Sequence, residues 1–174
     1  MNPEFLTCDL CDLHRDSLGQ PGGEDFRVLP PVFASYGGRR RFHGTVSTVQ
    51  CFEDNAGIKA AVESPGQGRV LVIDGGGSLR RALLGGNLAA SAVKNGWAGV
   101  VIDGCVRDLA ELAACELGVR ALAAMPLPPF KRDGGRRDVP LRVQGVWIRP
   151  GDWLCADEDG IVVSDRSPQT GGAG

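Results

Sequence analysis

The chain has 174 residues, of which 43% are hydrophobic and 23% are charged, as expected for a single globular domain. Its formal net charge of -2 argues against a nucleic-acid-binding protein, which needs a basic face. The apolar runs are shorter than the roughly 18–20 residues of a membrane span. Residues 1–16 lack a basic-then-apolar signal pattern, so a cytoplasmic location is expected.

The first third of the chain predicts a helix, an irregular stretch, a strand and a second helix. Residues 1–17 indicate a short amphipathic helix, and residues 18–31 contain too many glycines and prolines for regular structure. Residues 44–51 alternate in polarity and are rich in β-branched side chains, which is typical of a strand. A helix then runs to residue 63, with Asp54 or the following residue as its cap.

The six cysteines are predicted to be reduced, and most of them to be small core residues, because a cytosolic location disfavours disulfides. Cys8 and Cys11 have the spacing of a C-x-x-C motif. His14 and His43 are the only histidines, and neither lies at the spacing of a zinc ligand pair. We therefore expect a structural role for both cysteines.

The middle of the chain repeats an apolar strand followed by Ile-Asp-Gly, first at 69–77 and again at 99–105. The intervening residues 78–97 are helical in composition and are broken at Gly85-Gly86. Uniformly apolar strands joined by a helix indicate parallel βαβ pairing, with both faces of the sheet buried. A helix over 109–118 and a strand over 119–125 complete this part.

The C-terminal part predicts antiparallel structure. Residues 126–138 form a loop rich in basic side chains, residues 141–164 form three strands separated by turns, and residues 157–160 form a β-turn. The tail, 166–174, is expected to be disordered. Trp97, Trp147 and Trp153 are interpreted as packing residues. The whole is interpreted as one compact α/β domain over 1–165, with a mixed sheet.

Gly75-Gly76-Gly77 follows a strand, but it matches neither common nucleotide-binding loop. A P-loop requires Gly-Lys-Ser/Thr at its end, whereas Ser78-Leu79-Arg80 follows here. The dinucleotide fingerprint requires a third glycine where this chain has Arg80. We expect the glycines to serve a close backbone approach instead.

Two interpretations fit the stretch Gly85-Gly86-Asn87-Leu88. Asn87 is a suitable N-cap for a helix that ends at Asn95, before Gly96. Uncovered backbone N–H groups at such a helix start would favour an anion. Alternatively, the two glycines are only a break between helices.

Arg107-Asp108 follows the second apolar strand, at the sheet edge where open α/β folds bind ligands. An arginine fork suits a carboxylate, and an aspartate suits a hard divalent cation that keeps several waters. In the alternative interpretation, Asp108 caps the next helix and Arg107 is solvated.

Five stretches of the chain, spread over about residues 7–164, resemble the RraA-like family. This family groups the regulator of ribonuclease activity A with 4-hydroxy-4-methyl-2-oxoglutarate aldolases. The resemblance implies a swivelling β/β/α-like fold, a homotrimer or dimer of trimers, and active sites at subunit interfaces. The stretches are CFEDNAGIKAAVE, GRVLVIDGGGSLRRALLG, NGWAGVVIDGCVRD, LGVRALAAMPL and GDWLCADEDGIVVS.

The resemblance also assigns roles to site residues. Arg107 would bind the carboxylate of a small 2-keto acid substrate, Asp108 would hold Mg²⁺ or Mn²⁺, and the backbone amides of Gly85 through Leu88 would bind the substrate's carboxylate end. Cleavage of a C–C bond beside the keto group leaves a pyruvate enolate, which a Lewis-acidic metal and fixed positive potential stabilise. Oxaloacetate decarboxylation passes through the same enolate.

The chain departs from the aldolases at one position. They carry an acidic residue twenty residues before Arg-Asp, and this chain has Gly86 there. General acid–base assistance is worth about 10²–10⁴ in rate, so aldol cleavage is expected to suffer more than decarboxylation. Two other functions therefore stay open: a regulator that binds ribonuclease E through an acidic protein surface rather than through RNA, and an oligomer without surviving chemistry.

Overall fold

The computed structural model describes residues 5–20, 24–132 and 134–168, which form four helices and twelve strands. The predicted tail lies outside the described residues from position 169 onward. The helices are α1 (Thr7–Leu13), α2 (Ala56–Val62), α3 (Gly86–Lys94) and α4 (Leu109–Ala114). The strands are β1 (Phe26–Val28), β2 (Ala34–Ser35), β3 (Phe42–Gln50), β4 (Val70–Asp74), β5 (Ala82–Leu84), β6 (Gly99–Val106), β7 (Gly118–Ala124), β8 (Arg136–Arg137), β9 (Leu141–Val143), β10 (Val146–Ile148), β11 (Trp153–Ala156) and β12 (Ile161–Ser164).

A mixed sheet of ten strands organises the domain, with its main path in the order β1-β12-β11-β3-β4-β6-β7-β2. The central strands β3, β4, β6 and β7 are parallel, as the two apolar repeats predict. Strands β11, β12 and β1 extend the sheet in antiparallel fashion. The predicted α/β class with an antiparallel C-terminal part is therefore confirmed.

Both faces of the central sheet are buried, which explains why its strands are apolar throughout. On one face, Leu71 and Ile73 of β4 pack in a cluster with α2, α3 and α4. On the other face, Val70 and Val72 pack in a second cluster with β9–β12. The sheet thus lies between a helical layer and a layer of antiparallel strands.

Several short strands depart from the sequence prediction because tertiary pairing overrides local composition. Strand β1 lies within the segment predicted to be irregular, where Phe26 pairs with Ser164 of β12. Strand β5 replaces the last part of segment 78–84, which was predicted to be helical, and Ala82 pairs with Cys105 of β6. Leu84 pairs with Val106, so β6 continues to Val106, one residue beyond the predicted segment 99–105.

The C-terminal part contains four strands rather than three. Gln144 and Gly145 both have positive φ, 49° and 82°, and they form a tight turn that joins β9 to β10 in a separate hairpin. The predicted turn between Asp157 and Gly160 is confirmed, since Asp157 N donates to Gly160 O at 3.1 Å.

Two of the three tryptophans are core residues, as predicted. Trp97 is 3% and Trp153 is 5% exposed, whereas Trp147 is 47% exposed, so its interpretation as a packing residue was wrong. It lies on the two-stranded hairpin, one face of which remains open to solvent.

All six cysteines are free, and Cys51, Cys105 and Cys155 are buried. Burial raises the pKa of the Cys51 thiol to about 12, so this thiol stays protonated and behaves as a small core residue. Within the described residues no group of three or more His, Cys, Asp or Glu side chains is arranged to hold a metal, around Cys8 and Cys11 or elsewhere. None of the described helices has the length and apolar character needed to cross a bilayer.

Candidate active site

A cavity of about 220 Å³ lies where β5 and β6 end, at the carboxyl edge of the parallel strands. The first turn of α3, the Arg107-Asp108 pair and the loop of residues 128–131 form its walls. The structure thus brings together Gly85, Asn87 and Leu88 with Arg107 and Asp108. Gly86, which was also predicted to bind substrate, is buried and does not line the cavity.

The backbone at Asp108 turns sharply to place its carboxylate over the start of α3. Asp108 has left-handed angles, φ 59° and ψ 49°, and makes no side-chain cap hydrogen bond to α4. Its Oδ2 instead accepts a hydrogen bond from Gly86 N at 3.0 Å. Asp108 is therefore the N-cap residue of α4, as the alternative predicted, but its side chain does not cap that helix. Its carboxylate lines the cavity instead.

The residue before α3 must be small because Asp108 and Arg107 come so close to it. A Cβ atom on Gly85 would collide with the Asp108 carboxylate and would lie 3.3 Å from Cγ of Arg107. Gly85 is thus explained by close approach rather than by a simple helix break.

Helix α3 begins two residues earlier than the sequence predicted. Gly85 is the N-cap and Gly86 is the first helical residue, so the prediction of Asn87 as N-cap was wrong. The cap position follows from Asp108, which supplies the acceptor for Gly86 N that a capping side chain would otherwise provide. The N–H groups of Asn87 and Leu88 have no acceptor within the helix and, with the helix dipole, make this end of the cavity attractive to an anion.

Arg107 supplies the mobile positive charge of the cavity. Its backbone N donates to Leu84 O at 3.0 Å, which fixes the residue beside β5. Within the described residues its half-buried guanidinium makes no ion pair or side-chain hydrogen bond. The fork is therefore free to bind a carboxylate.

Glu111 is a candidate residue that the sequence reasoning missed, and it lies beside Gly86 rather than in the cavity lining. It lies one turn into α4, three residues after Asp108, and its exposed side chain reaches over Gly86. A Cβ built on Gly86 would collide with a carboxylate oxygen of Glu111 and would lie 2.7 Å from its Cδ. The Glu111 carboxylate therefore occupies the space into which an acidic side chain at position 86 would extend. The available signal was an acid in the first turn of the helix that follows Arg107-Asp108.

Three further polar residues line the cavity opposite Arg107: Asn55, Lys59 and Lys131. Asn55 is held by its side-chain amide, which donates to Leu83 O at 3.3 Å. Lys59 pairs with Glu63 at 3.0 Å, whereas Lys131 makes no ion pair within the described residues. The sequence had indicated only a basic loop at this position.

The loop that carries Lys131 is fixed by Phe130. The guanidinium groups of Arg81 and Arg132 each lie 3.9 Å from the centre of this ring. Arg132 N also donates to Oδ2 of the buried Asp54 at 2.5 Å. These contacts hold the ammonium-bearing loop against the cavity.

The donor set fits a hard divalent cation. Asp108 and Glu111 present exposed carboxylates on either side of the Gly85-Gly86 turn. Mg²⁺ and Mn²⁺ prefer such oxygen ligands, and Mg²⁺ commonly uses only one or two carboxylates and keeps several waters. Exposed carboxylates leave room for those waters.

Two sequence relatives match nearly the whole chain. A protein from Albidiferax ferrireducens, provisionally named a 4-hydroxy-4-methyl-2-oxoglutarate aldolase, is 63% identical over 172 residues, covering 94% of this chain and 97% of its own. A relative from Burkholderia mallei with the same provisional name is 56% identical, covering 92% of this chain and 96% of its own.

Solved structures share the fold. The RNA-processing inhibitor RraA from Thermus thermophilis superimposes with a TM-score of 0.88 at 48% identity, over 97% of both chains. A Geobacillus kaustophilus protein described as a dimethylmenaquinone methyltransferase gives a TM-score of 0.87 at 42% identity, over 97% of this chain and 100% of its own. The RraA-like family model, described as Aldolase/RraA, matches residues 7–163, and the chain belongs to this family.

Proposed function

We propose that the protein is a divalent-metal-dependent lyase that cleaves a C–C bond beside a 2-keto acid, as in 4-hydroxy-4-methyl-2-oxoglutarate, and also decarboxylates oxaloacetate. One observation carries the proposal: the free guanidinium of Arg107, helix-start amides and the Asp108 carboxylate line one cavity. The Glu111 carboxylate lies beside Gly86, at the start of the same helix. The provisional name of the relatives at 56–63% identity supports the same reaction class.

Substrate binding follows from the cationic groups. The guanidinium of Arg107 and the free N–H groups of Asn87 and Leu88 bind the carboxylate next to the keto group. The other end of the substrate carries a second carboxylate, for which Lys131 provides a positive charge at the opposite wall. A dicarboxylate thus spans the cavity between two cationic walls.

The chemical step requires proton transfer and enolate stabilisation. Glu111 accepts the proton of the C4 hydroxyl group as the C3–C4 bond breaks. The bonding electrons pass to C3, giving pyruvate enolate and one molecule of pyruvate, and protonation of the enolate at C3 gives the second pyruvate. Arg107 adds fixed positive potential where this negative charge develops. A divalent cation held by Asp108 supplies Lewis-acid stabilisation when bound.

This assignment changes the expectation about Gly86. The sequence alone suggested that the proton-handling acid is absent, so that aldol cleavage would suffer more than decarboxylation. With the carboxylate of Glu111 beside Gly86, a general base is available from a different element. We therefore expect both aldol cleavage and decarboxylation.

The test is pyruvate release from 4-hydroxy-4-methyl-2-oxoglutarate and from oxaloacetate, with Mg²⁺ or with EDTA. Asp108→Asn removes one charge and keeps a side chain that tolerates left-handed angles. Asp138→Asn is the matched control, because Asp138 is also exposed and has φ 56°. We expect metal-dependent turnover in the wild type and the control, and only the metal background in Asp108→Asn. Equal turnover in Asp108→Asn would overturn the proposal.

A second function, inhibition of ribonuclease E, is favoured by the structural match to the RNA-processing inhibitor RraA. It requires surface contacts rather than the cavity. A ribonuclease E cleavage assay with wild type and Asp108→Asn separates the two functions. Inhibition that survives Asp108→Asn, without lyase turnover in the wild type, would select the regulator.

Assembly and location belong to the same proposal. We propose a homotrimer or a dimer of trimers in the cytoplasm, with a small 2-keto acid as substrate and no nucleic-acid partner. Sedimentation velocity tests the assembly, and a purely monomeric species would contradict it.

A further inference from the structure

A second cavity, which we call the Arg120 pocket, lies away from the candidate active site and shares no lining residue with it. Its volume is about 450 Å³. It lies beside the pair of strands β2 and β7, in which Ser35 faces Arg120 in register. Tyr36, Arg40 and Glu158 complete the polar part of its lining.

Arg120 is a buried cation whose guanidinium is only partly hydrogen-bonded. The residue is only 6% exposed, and its guanidinium forms no ion pair within the described residues. Its Nη2 donates to two backbone carbonyls, those of Arg40 at 3.1 Å and of Asp157. Its Nε is buried and has no hydrogen-bond partner. A buried charge in this condition is costly unless an anion joins it.

A second cation, Arg40, adds to the excess of positive charge at the Arg120 pocket. Arg40 is exposed and lines the same pocket. Burial lowers the pKa of Arg120, and the positive charge of Arg40 lowers it further, whereas the negative charges of Asp157 and Glu158 raise it. The acid that lines the pocket is already used, since Glu158 Oε2 accepts from Arg41 Nε at 2.8 Å. Two guanidinium groups therefore face one pocket whose lining acid is paired elsewhere.

We propose that the Arg120 pocket binds a small free oxyanion, a carboxylate or a tetrahedral anion of the phosphate and sulfate type. The planar donor fork of arginine matches both shapes. The hydroxyl groups of Ser35 and Tyr36 offer additional donors at the pocket wall. Because Arg120 holds the carbonyls of Arg40 and Asp157, a bound anion would also stiffen the two segments that frame the pocket.

The chain offers a local probe, because Tyr36 is its single tyrosine and lines this pocket. Labelling with 3-fluorotyrosine gives one ¹⁹F resonance, which is followed while sodium sulfate, or sodium acetate in a second series, replaces sodium chloride at constant ionic strength. Arg120→Met removes the buried charge, and Arg40→Met removes the exposed one. Arg39→Met is the matched control, since Arg39 is an exposed neighbour outside the lining.

We expect a saturable shift of the resonance in the wild type and in Arg39→Met, and none in Arg120→Met. A lost charge-assisted hydrogen bond weakens binding about tenfold or more, so Arg40→Met should need that much more sulfate. Arg40 is exposed, so this variant decides the question even if Arg120→Met fails to fold.

Three results would overturn the proposal. The resonance could stay unmoved by either anion in the wild type, or could move equally in both charge-removal variants. It could also respond to protein concentration instead of to anion. That last result would assign the pocket to a carboxylate of a second copy of the chain.

Discussion

Glu111→Gln tests whether the carboxylate beside Gly86 acts as the general base. The substitution keeps size and removes the charge, and because Glu111 is exposed it should change the free energy of unfolding by less than about 0.5 kcal/mol. Loss of a general base is worth about 10²–10⁴ in rate, or about 3–5 kcal/mol of transition-state stabilisation. Aldol cleavage should fall by that factor, whereas decarboxylation, which starts without proton abstraction, should fall much less.

A relocation experiment makes this test sharper. In Gly86→Asp alone, the new Cβ would lie 2.7 Å from Cδ of Glu111, so the two side chains compete for one space. In the double variant with Glu111→Ala the space is open, apart from the Cβ of residue 111 at 3.0 Å, which must give by a few tenths of an ångström. We expect the double variant to recover aldol cleavage relative to Glu111→Ala.

The assay is the initial rate of pyruvate release from each substrate at saturating Mg²⁺. Glu116→Gln is the control, because Glu116 is an exposed acid just beyond α4 and outside the cavity lining. Aldol cleavage in Glu111→Gln equal to that in Glu116→Gln would refute the assignment of the base. Failure of the double variant to recover, with folding intact, would refute the spatial equivalence of positions 86 and 111.

Three further predictions follow from single contacts. Lys131→Met should raise KM for the dicarboxylate substrates about tenfold or more through loss of a charged partner, with kcat less affected. Lys94→Met, the control, should change neither constant. Equal effects of the two substitutions on KM would exclude a binding role for Lys131. Gly85→Ala should abolish turnover, since its Cβ would displace the Asp108 carboxylate; wild-type kinetics would contradict the proposed geometry. Asp157→Asn should lower the free energy of unfolding at pH 7. Burial raises the pKa of Asp157, but hydrogen bonds from Thr7 and from the following turn outweigh burial, so the pKa is lowered in the folded protein. That stability is present above the unfolded pKa and is lost as pH falls through the lower folded value. Urea unfolding should therefore show a larger difference in free energy of unfolding between wild type and Asp157→Asn at pH 7 than at pH 3. An equal difference at both pH values would contradict this cause.

The alternation of apolar strand segments and helical segments along the chain determined the fold class. Apolar runs such as 70–73 and 99–102 can only be buried on both faces, which requires parallel strands with layers on either side. The left-handed stop at Gly96, with φ 79°, ended α3 where the sequence predicted. The helix predicted to extend to Gly118 ends instead at Ala114, and Gly118 begins β7. The Arg107-Asp108 pair and the turn of Gly85 and Gly86 were also visible, because their residue types and their position after a buried strand carry the chemistry.

Tertiary structure decided those elements and contacts whose partners are distant in the sequence. The short strand β5 exists because β6 offers an edge at Cys105 and Val106, and no local pattern encodes such an edge. The first turn of α3 is positioned by Asp108, which lies 22 residues away. The Glu111 carboxylate lies beside Gly86 because α4 packs next to the start of α3, so the general base that we propose comes from another helix. Sequence alone determined which residue types meet at this edge of the sheet, whereas only the packing of α3 against α4 decided which carboxylate lies beside Gly86.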